Sequence, residues 1–317
     1  MKDNTPIAVT SRSFSNHPIL KEELLLRYSN VTFNKSGKSL SGQDLVDFLK
    51  GHVKAITALE VLDDTIFSAL PELKVVSKYG VGLDMIDLEA MERHDVLLGW
   101  TGGVNRRSVA ELVISSIISL LHRVPFACNE VKTGKWYQVK GQQLTGKTVG
   151  IIGCGHIGKD LAVLLKSFDC KILSCDILDF PEFYKEHGII PVSLENLLRK
   201  SDIITLHVPL NESTINILNS ERLELMKSGS FIINTARGGL IDEVKLKEML
   251  KIGQIAGAAL DVFLSEPPDD LEFLNLPNVI ATPHIGGSTE EAILAMGRAA
   301  IAGLDAVDRP SRVRCNK

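Results

Sequence analysis

The chain has 317 residues, 44% of them hydrophobic, which suits two domains with sizeable cores. Lys and Arg number 35 against 39 Asp and Glu, a net charge of −4, which argues against a nucleic-acid or anionic-membrane surface. The five cysteines, Cys128, Cys154, Cys170, Cys175 and Cys315, contain no CxxC pair, so neither a disulfide framework nor a metal site is expected, and a reducing, cytoplasmic compartment fits.

The N-terminus lacks the apolar core of a secretory signal. Apolar runs such as Val113–Leu121 are too short to span a membrane. Strands are expected at Ile7–Ser11, Ala55–Leu59, Leu73–Lys78 and Val96–Trp100. Helical patterns lie between them, for example at Gly42–Leu49 and Leu62–Leu70. Arg107–His122 reads as a helix buried on most sides. A second series of strands follows at Lys147–Gly153, Cys170–Asp176, Asp202–Val208, Ser230–Ala236, Ile255–Phe263 and Asn278–His284. The chain closes on a helical pattern at Ser288–Ala306 with small residues spaced for close packing. Strands alternating with helices predict an α/β fold of two Rossmann-like, doubly wound parallel-sheet domains. The first unit runs to about residue 101 and the second from about 102 to 286. By pattern alone the last helix fits either.

The stretch VGIIGCGHIG places Gly153, Gly155 and Gly158 as G-x-G-x-x-G between a strand and a helix at His156–Lys166. Asp176 ends the next strand, eighteen residues after Gly158. That context points to a dinucleotide: glycines for close backbone approach, a helix N-terminus for the pyrophosphate and a carboxylate for the ribose diol. The carboxylate would repel a 2′-phosphate, so NAD is expected rather than NADP. Cys154, between the glycines, reads as an inert small residue. A redox role would need a depressed thiol pKa.

Three polar residues close successive segments of the second series: Arg237, Glu266 and His284. In parallel sheets ligands gather at the carboxyl ends of strands. A histidine backed by a carboxylate is a usable acid/base, and a guanidinium fork matches a substrate carboxylate. Each also has a bland reading: a surface ion pair, a loop acid, a structural histidine.

The blocks KYGVGLDMIDL, GGVNRRSVAEL, TGKTVGIIGCGHIG, NTARGGLIDE, ALDVFLSEPP and TPHIGGST together resemble the D-isomer-specific 2-hydroxyacid dehydrogenase family over nearly the whole chain. The resemblance implies hydride transfer between NAD and a small D-2-hydroxy or 2-keto acid. Arg237, Glu266 and His284 would form the catalytic set. Cofactor contacts would come from Gly153, Gly155, His156, Ile157, Gly158, Asp176, Val208, Pro209, Thr235, Ala236, Asp261 and Gly287. Backbone at Tyr79, Gly80 and Val81 would hold the substrate carboxylate beside Arg237 and His284. It further implies a flavodoxin-like substrate domain made of residues 1–101 and 287–317, an NAD-binding domain at 102–286, and a hinge between them. A homodimer would form through the segment from about Asn105 to Gly146.

One stretch departs from the family's phosphoglycerate enzymes. Where these often carry Arg-Ser-x-Thr, this chain has Thr57-Ala58-Leu59-Glu60. A short-type 3-phosphoglycerate dehydrogenase stays open, since Lys78, Arg106, Arg107 or a lysine of a partner chain could supply charge. No serine-sensing C-terminal domain is expected after Lys317. An NADH-responsive scaffold like the C-terminal-binding-protein corepressors is the alternative of another class. Trp100 and Trp136 are candidate pocket walls, or simply packing or dimer contacts.

Overall fold

The computed structural model describes residues 1–315. They form two compact units. One combines Met1–Asn105 with the chain from Glu290 onward, and the other is Arg106–Thr289. Both switch points fall where a helix starts, at Arg106–Leu121 and Glu290–Ala302, a few residues beyond the limits suggested by motif spacing.

The first unit is a five-stranded sheet of β1 (Ile7–Val9), β2 (Val31–Phe33), β3 (Lys54–Thr57), β4 (Val75–Lys78) and β5 (Leu97–Gly99). Its order is β2-β1-β3-β4-β5 and every pairing is parallel. This is the flavodoxin-like order. β1 and β4 are buried throughout, because helices cover both faces of a parallel sheet and leave no polar side. The edge strand β2 is short and half-buried, which is why no apolar run announces it.

β1 stops at Val9, two residues before the expected end. Ser11 turns out of the sheet as an N-cap, its hydroxyl accepting the Phe14 N–H at 3.3 Å. The helix expected at Leu62–Leu70 starts later, at Asp64, for the same reason: Asp63 accepts the Ile66 N–H at 3.0 Å.

The helix Glu290–Ala302 lies on this sheet. Ser77 Oγ donates to the Ala300 carbonyl at 2.7 Å. Glycine makes the approach possible. A Cβ on Gly99 would stand 1.9 Å from the Gly303 carbonyl oxygen, and one on Gly297 would strike Leu20. Beyond the helix, Asp305 accepts from Tyr28 and Lys54, both at 2.7 Å. Burial and that carboxylate raise the Tyr28 pKa, so the phenol stays a donor.

The second unit holds a seven-stranded sheet of β6 (Thr148–Ile152), β7 (Lys171–Cys175), β8 (Ile190–Pro191), β9 (Ile203–Leu206), β10 (Ser230–Asn234), β11 (Ile255–Leu260) and β12 (Val279–Ala281). The order is β12-β11-β10-β9-β6-β7-β8, again all parallel. Chain direction across the sheet reverses at β6, which lies between β7 and β9. That reversal is the topological switch point of a doubly wound sheet. β8 escapes a sequence reading because it is two exposed residues ending in Pro191, tolerated only at an edge. Helix Arg106–Leu121 buries Val109, Val113, Ile117 and Leu120 within this unit. No single helix among the described residues is long and apolar enough to cross a membrane.

Substituting Gly99 by Ala should drive a methyl into a backbone carbonyl that cannot give way. A loss of about 3 kcal/mol is expected, read as a lower denaturant midpoint, whereas an unchanged midpoint would mean the helix is not seated there.

Candidate active site

The glycine loop begins where β6 ends. Gly153 has φ +96°, and a Cβ there would lie 2.8 Å from the His207 backbone. A Cβ on Gly158 would lie 2.2 Å from the Gly153 carbonyl oxygen, so the third glycine lets the helix His156–Leu165 close on the loop. A Cβ on Gly155 would meet nothing within 4 Å. The three glycines thus divide into a turn, an open face and a packing contact. No side chain caps the helix at Gly155, so the first N–H groups, at His156 and Ile157, are offered outward.

Asp176 follows β7, the neighbour of β6. It accepts the Cys154 N–H at 2.5 Å and the Leu178 N–H at 2.9 Å. A carboxylate has about four acceptor positions, so capacity remains for hydroxyl donors. Open glycine, uncapped helix and half-exposed carboxylate fit a dinucleotide. Cys154 is fully buried, and burial raises its thiol pKa, which removes the thiolate a redox role would require.

Val208 and Pro209 follow β9 across the switch point. Between them and the strand sits His207, whose Nε2 pairs with Thr205 Oγ1 at 2.9 Å. Burial pushes its pKa down to about 3, so this ring stays neutral and does no proton transfer near neutrality.

Arg237 follows β10, Glu266 follows β11 and His284 follows β12, three adjacent strands. Asn234 shapes the first turn. Its side chain donates to the Arg237 carbonyl at 2.8 Å and accepts the Ala236 N–H at 3.1 Å. That Asx turn presents Thr235, Ala236 and Arg237. The Thr235 hydroxyl is buried without a protein partner, an orphan that a ligand at this turn could satisfy. Arg237 is half-buried, and its Nη1 donates to the Ala236 carbonyl at 2.6 Å. Gly238 passes so close to the next loop that a Cβ would stand 1.9 Å from the Phe263 carbonyl oxygen.

The strand expected at Ile255–Phe263 ends at Leu260, and beyond it side chains claim the N–H groups of Phe263 and Leu264. Glu243 accepts the Leu264 N–H at 2.8 Å, and burial raises its pKa. Glu266 Oε1 accepts the Phe263 N–H at 3.2 Å. The other oxygen, Oε2, pairs with His284 Nδ1 at 2.9 Å. A carboxylate at Nδ1 fixes the proton on that nitrogen, leaving Nε2 as the basic atom of the neutral ring. Both side chains are part-exposed, so a ligand can reach them.

His284 has φ +54°, uncommon for a residue with a Cβ. Asp261, 2% exposed, holds it there. Its Oδ1 accepts from Thr282 Oγ1 at 2.6 Å and from the Ile285 N–H at 2.8 Å, and its Oδ2 accepts the Gly286 N–H at 2.8 Å. Its backbone carbonyl accepts the His284 N–H at 2.9 Å. Gly287 follows in the same turn. Asp261, expected as a cofactor contact, is therefore also the strut of the histidine turn. Asn234, Glu243 and Thr282 lie within the motif blocks, but only the folded backbone shows what they bind.

Of the remaining candidates, Tyr79, Gly80, Val81 and Trp100 lie in the first unit, and Arg107 and Trp136 in the second. Tyr79, Gly80 and Val81 form the turn after β4. Gly80 has φ +129°. Trp100 Nε1 donates to the Val81 carbonyl at 3.0 Å, so Trp100 braces this turn. Trp136 is 89% exposed. Of the proposed spare cations, Arg107 is engaged by Asp160 through two 2.8 Å contacts.

A sequence model of the D-isomer specific 2-hydroxyacid dehydrogenase NAD binding domain matches residues 114–286. Human D-3-phosphoglycerate dehydrogenase is 40% identical over 259 residues, 80% of this chain and 48% of that protein. The chain spans about half the length of such relatives. Hydroxypyruvate reductase of Thermotoga maritima is 37% identical over 292 residues, 89% of this chain and 93% of the reductase. The crystal structure of D-lactate dehydrogenase from Aquifex aeolicus, complexed with NAD and lactic acid, superposes with a TM-score of 0.83 at 27% identity, covering 94% of this chain and 93% of that one.

Proposed function

Because the chain belongs to the D-isomer-specific 2-hydroxyacid dehydrogenase family, we propose that it is an NAD-dependent oxidoreductase that interconverts a small D-2-hydroxy acid and its 2-keto acid. The observation that carries this reading is the Glu266–His284 pair at 2.9 Å, at the ends of the two strands next to that of Arg237. NAD, when bound, supplies the hydride acceptor, and NADH the donor.

The chain's own residues do the rest. The open face at Gly155 and the helix N-terminus at His156 and Ile157 take the pyrophosphate. Asp176 takes the ribose diol, and its charge disfavours a 2′-phosphate. Val208, Pro209, Thr235, Ala236 and Gly287 line the strand ends between these contacts and the acid/base pair. Arg237 grips the substrate carboxylate and polarises the adjacent carbonyl. His284 Nε2 removes the hydroxyl proton in oxidation and returns it in reduction, and Glu266 stabilises the imidazolium between. Reduction of the keto acid is the favoured direction at neutral pH.

Phosphoglycerate is a second reading, favoured by the identity to D-3-phosphoglycerate dehydrogenases. Against it, Thr57 stands where the arginine would be, and Arg107 is committed to Asp160.

We further propose a homodimer through the Asn105–Gly146 segment, which exposes Val124, Val131, Trp136 and Tyr137. A cytoplasmic location is supported by the free thiols of Cys128, Cys154, Cys170 and Cys175.

NADH oxidation across a panel of 2-keto acids should show turnover of at least one, lost by at least about 100-fold in His284→Ala. No turnover despite tight NADH binding would move the protein to the scaffold class. Asp176→Ala should weaken NADH binding about tenfold or more, the loss of a charge-assisted contact, and relax discrimination against NADPH. Unchanged preference would refute the ribose assignment. Trp136→Asp should convert a dimer to monomer in sedimentation. A wild-type monomer would refute the dimer.

A further inference from the structure

The loop that carries Glu266 is held by a carboxylate from another element. Beyond β11 the chain passes from buried to exposed in a single step: Phe263 is 6% exposed and Leu264 76%. An exposed side chain gains little from packing, so the Leu264 end of the loop depends on its backbone. The Leu264 N–H donates to Glu243 Oε1 at 2.8 Å, reaching the first turn of the helix Glu243–Lys251. The Phe263 N–H just before it donates to Glu266 Oε1 at 3.2 Å. Gly238 lies against the peptide between the two, where a Cβ would stand 1.9 Å from the Phe263 carbonyl oxygen and 2.6 Å from the Leu264 nitrogen.

The helix itself does not require Glu243. Asp242 caps it, accepting the Lys245 N–H at 3.0 Å. Glu243 is half-buried, and burial together with the charge of Asp270 raises its pKa. Asp270 is in turn paired with Lys247 at 2.8 Å. A half-buried carboxyl beside another acid is a poor choice for packing alone. Its hydrogen bond goes to a backbone group two residues before Glu266. The bond from Glu266 Oε1 lies within the loop, so it fixes the carboxylate relative to the loop but not the loop relative to His284. The bond from Glu243 ties the loop to a helix. Glu266 Oε2 is thereby kept at 2.9 Å from His284 Nδ1.

We propose that Glu243 is a positioning residue for the acid/base pair: through the Leu264 N–H it fixes the loop that presents Glu266 Oε2 to His284. It acts through Glu266 rather than on the substrate. This rests on the acid/base reading of Glu266 and His284 above and adds the group that sets the geometry of the pair. The requirement is an acceptor oxygen of the right reach, so contact and charge can be separated. Glu243→Gln keeps the oxygen and removes the charge. Glu243→Asp keeps the charge and is a methylene too short.

The test is a pH titration of the His284 ring by nitrogen NMR on protein labelled at histidine, the signal being identified by its loss in His284→Ala. A carboxylate at Nδ1 favours the imidazolium, so a loosened Glu266 lowers the midpoint. Glu243→Asp should lower it by about one pH unit relative to wild type. Glu243→Gln should leave it within about 0.3 unit. In a Glu266→Gln background, Glu243→Asp should add no further shift, the signature of a residue that acts through Glu266. A wild-type midpoint in Glu243→Asp, a lowered midpoint in Glu243→Gln, or a full second shift in the Glu266→Gln background overturns the proposal. The titration needs no substrate, so it decides on Glu243 independently of turnover. Failure of wild type to reduce any 2-keto acid overturns the hydroxy-acid reading instead.

Discussion

The chemistry of the second unit hangs on one buried carboxylate. Asp261 accepts three hydrogen bonds through its side chain from the residues flanking His284, and a fourth through its backbone carbonyl from His284 itself. A left-handed backbone at a residue with a Cβ costs roughly 1–3 kcal/mol. Hydrogen bonds to a charged acceptor contribute about 1.5–3 kcal/mol each. Three of them outweigh the strain, so the turn stays in a conformation that its own sequence would not choose. The histidine is held with its Nδ1 toward Glu266.

Around that strut, the sheet does the gathering. Parallel strands all deliver their next residue to the same edge, so the residues after β10, β11 and β12 share one rim although they lie far apart in the chain. Glycine sets how close the rim's loops come. A Cβ on Gly238 would overlap the Phe263 backbone, and one on Gly153 would press on His207 and Val208. The same device serves the first unit, where Gly99 and Gly303 let a helix lie against β5. At these places it is the backbone of a second segment, rather than turn geometry alone, that demands glycine.

Burial sorts groups that look equivalent on paper. His207 and His284 both follow strands of one sheet. Burial keeps His207 neutral, while His284 is exposed and backed by a carboxylate. Cys154 lies inside the glycine loop, yet its raised pKa makes it a packing residue. Glu60 reads as an isolated acid in the chain. Folded, it shares Ala58 with a buried lysine.

Much of this was legible in the sequence. Alternating apolar runs and helical patterns give two parallel-sheet units, because strands covered on both faces have no polar side. The glycine spacing, Asp176 and the order Arg237, Glu266, His284 point to a dinucleotide and an acid/base pair, since those chemistries need particular residue types at strand ends. The edge strands β2 and β8 were not legible, being too short and too exposed to leave a pattern. Nor were the roles of Asn234, Glu243 and Asp261, or the contacts of Glu60 and Lys78 to the backbone of Ala58. Each of these depends on which backbone group a side chain reaches across a loop or a neighbouring strand. Local residue type determined the elements and the kind of chemistry. Only the tertiary structure decided which charges are buried together, because burial and partnership are set by segments distant in the chain.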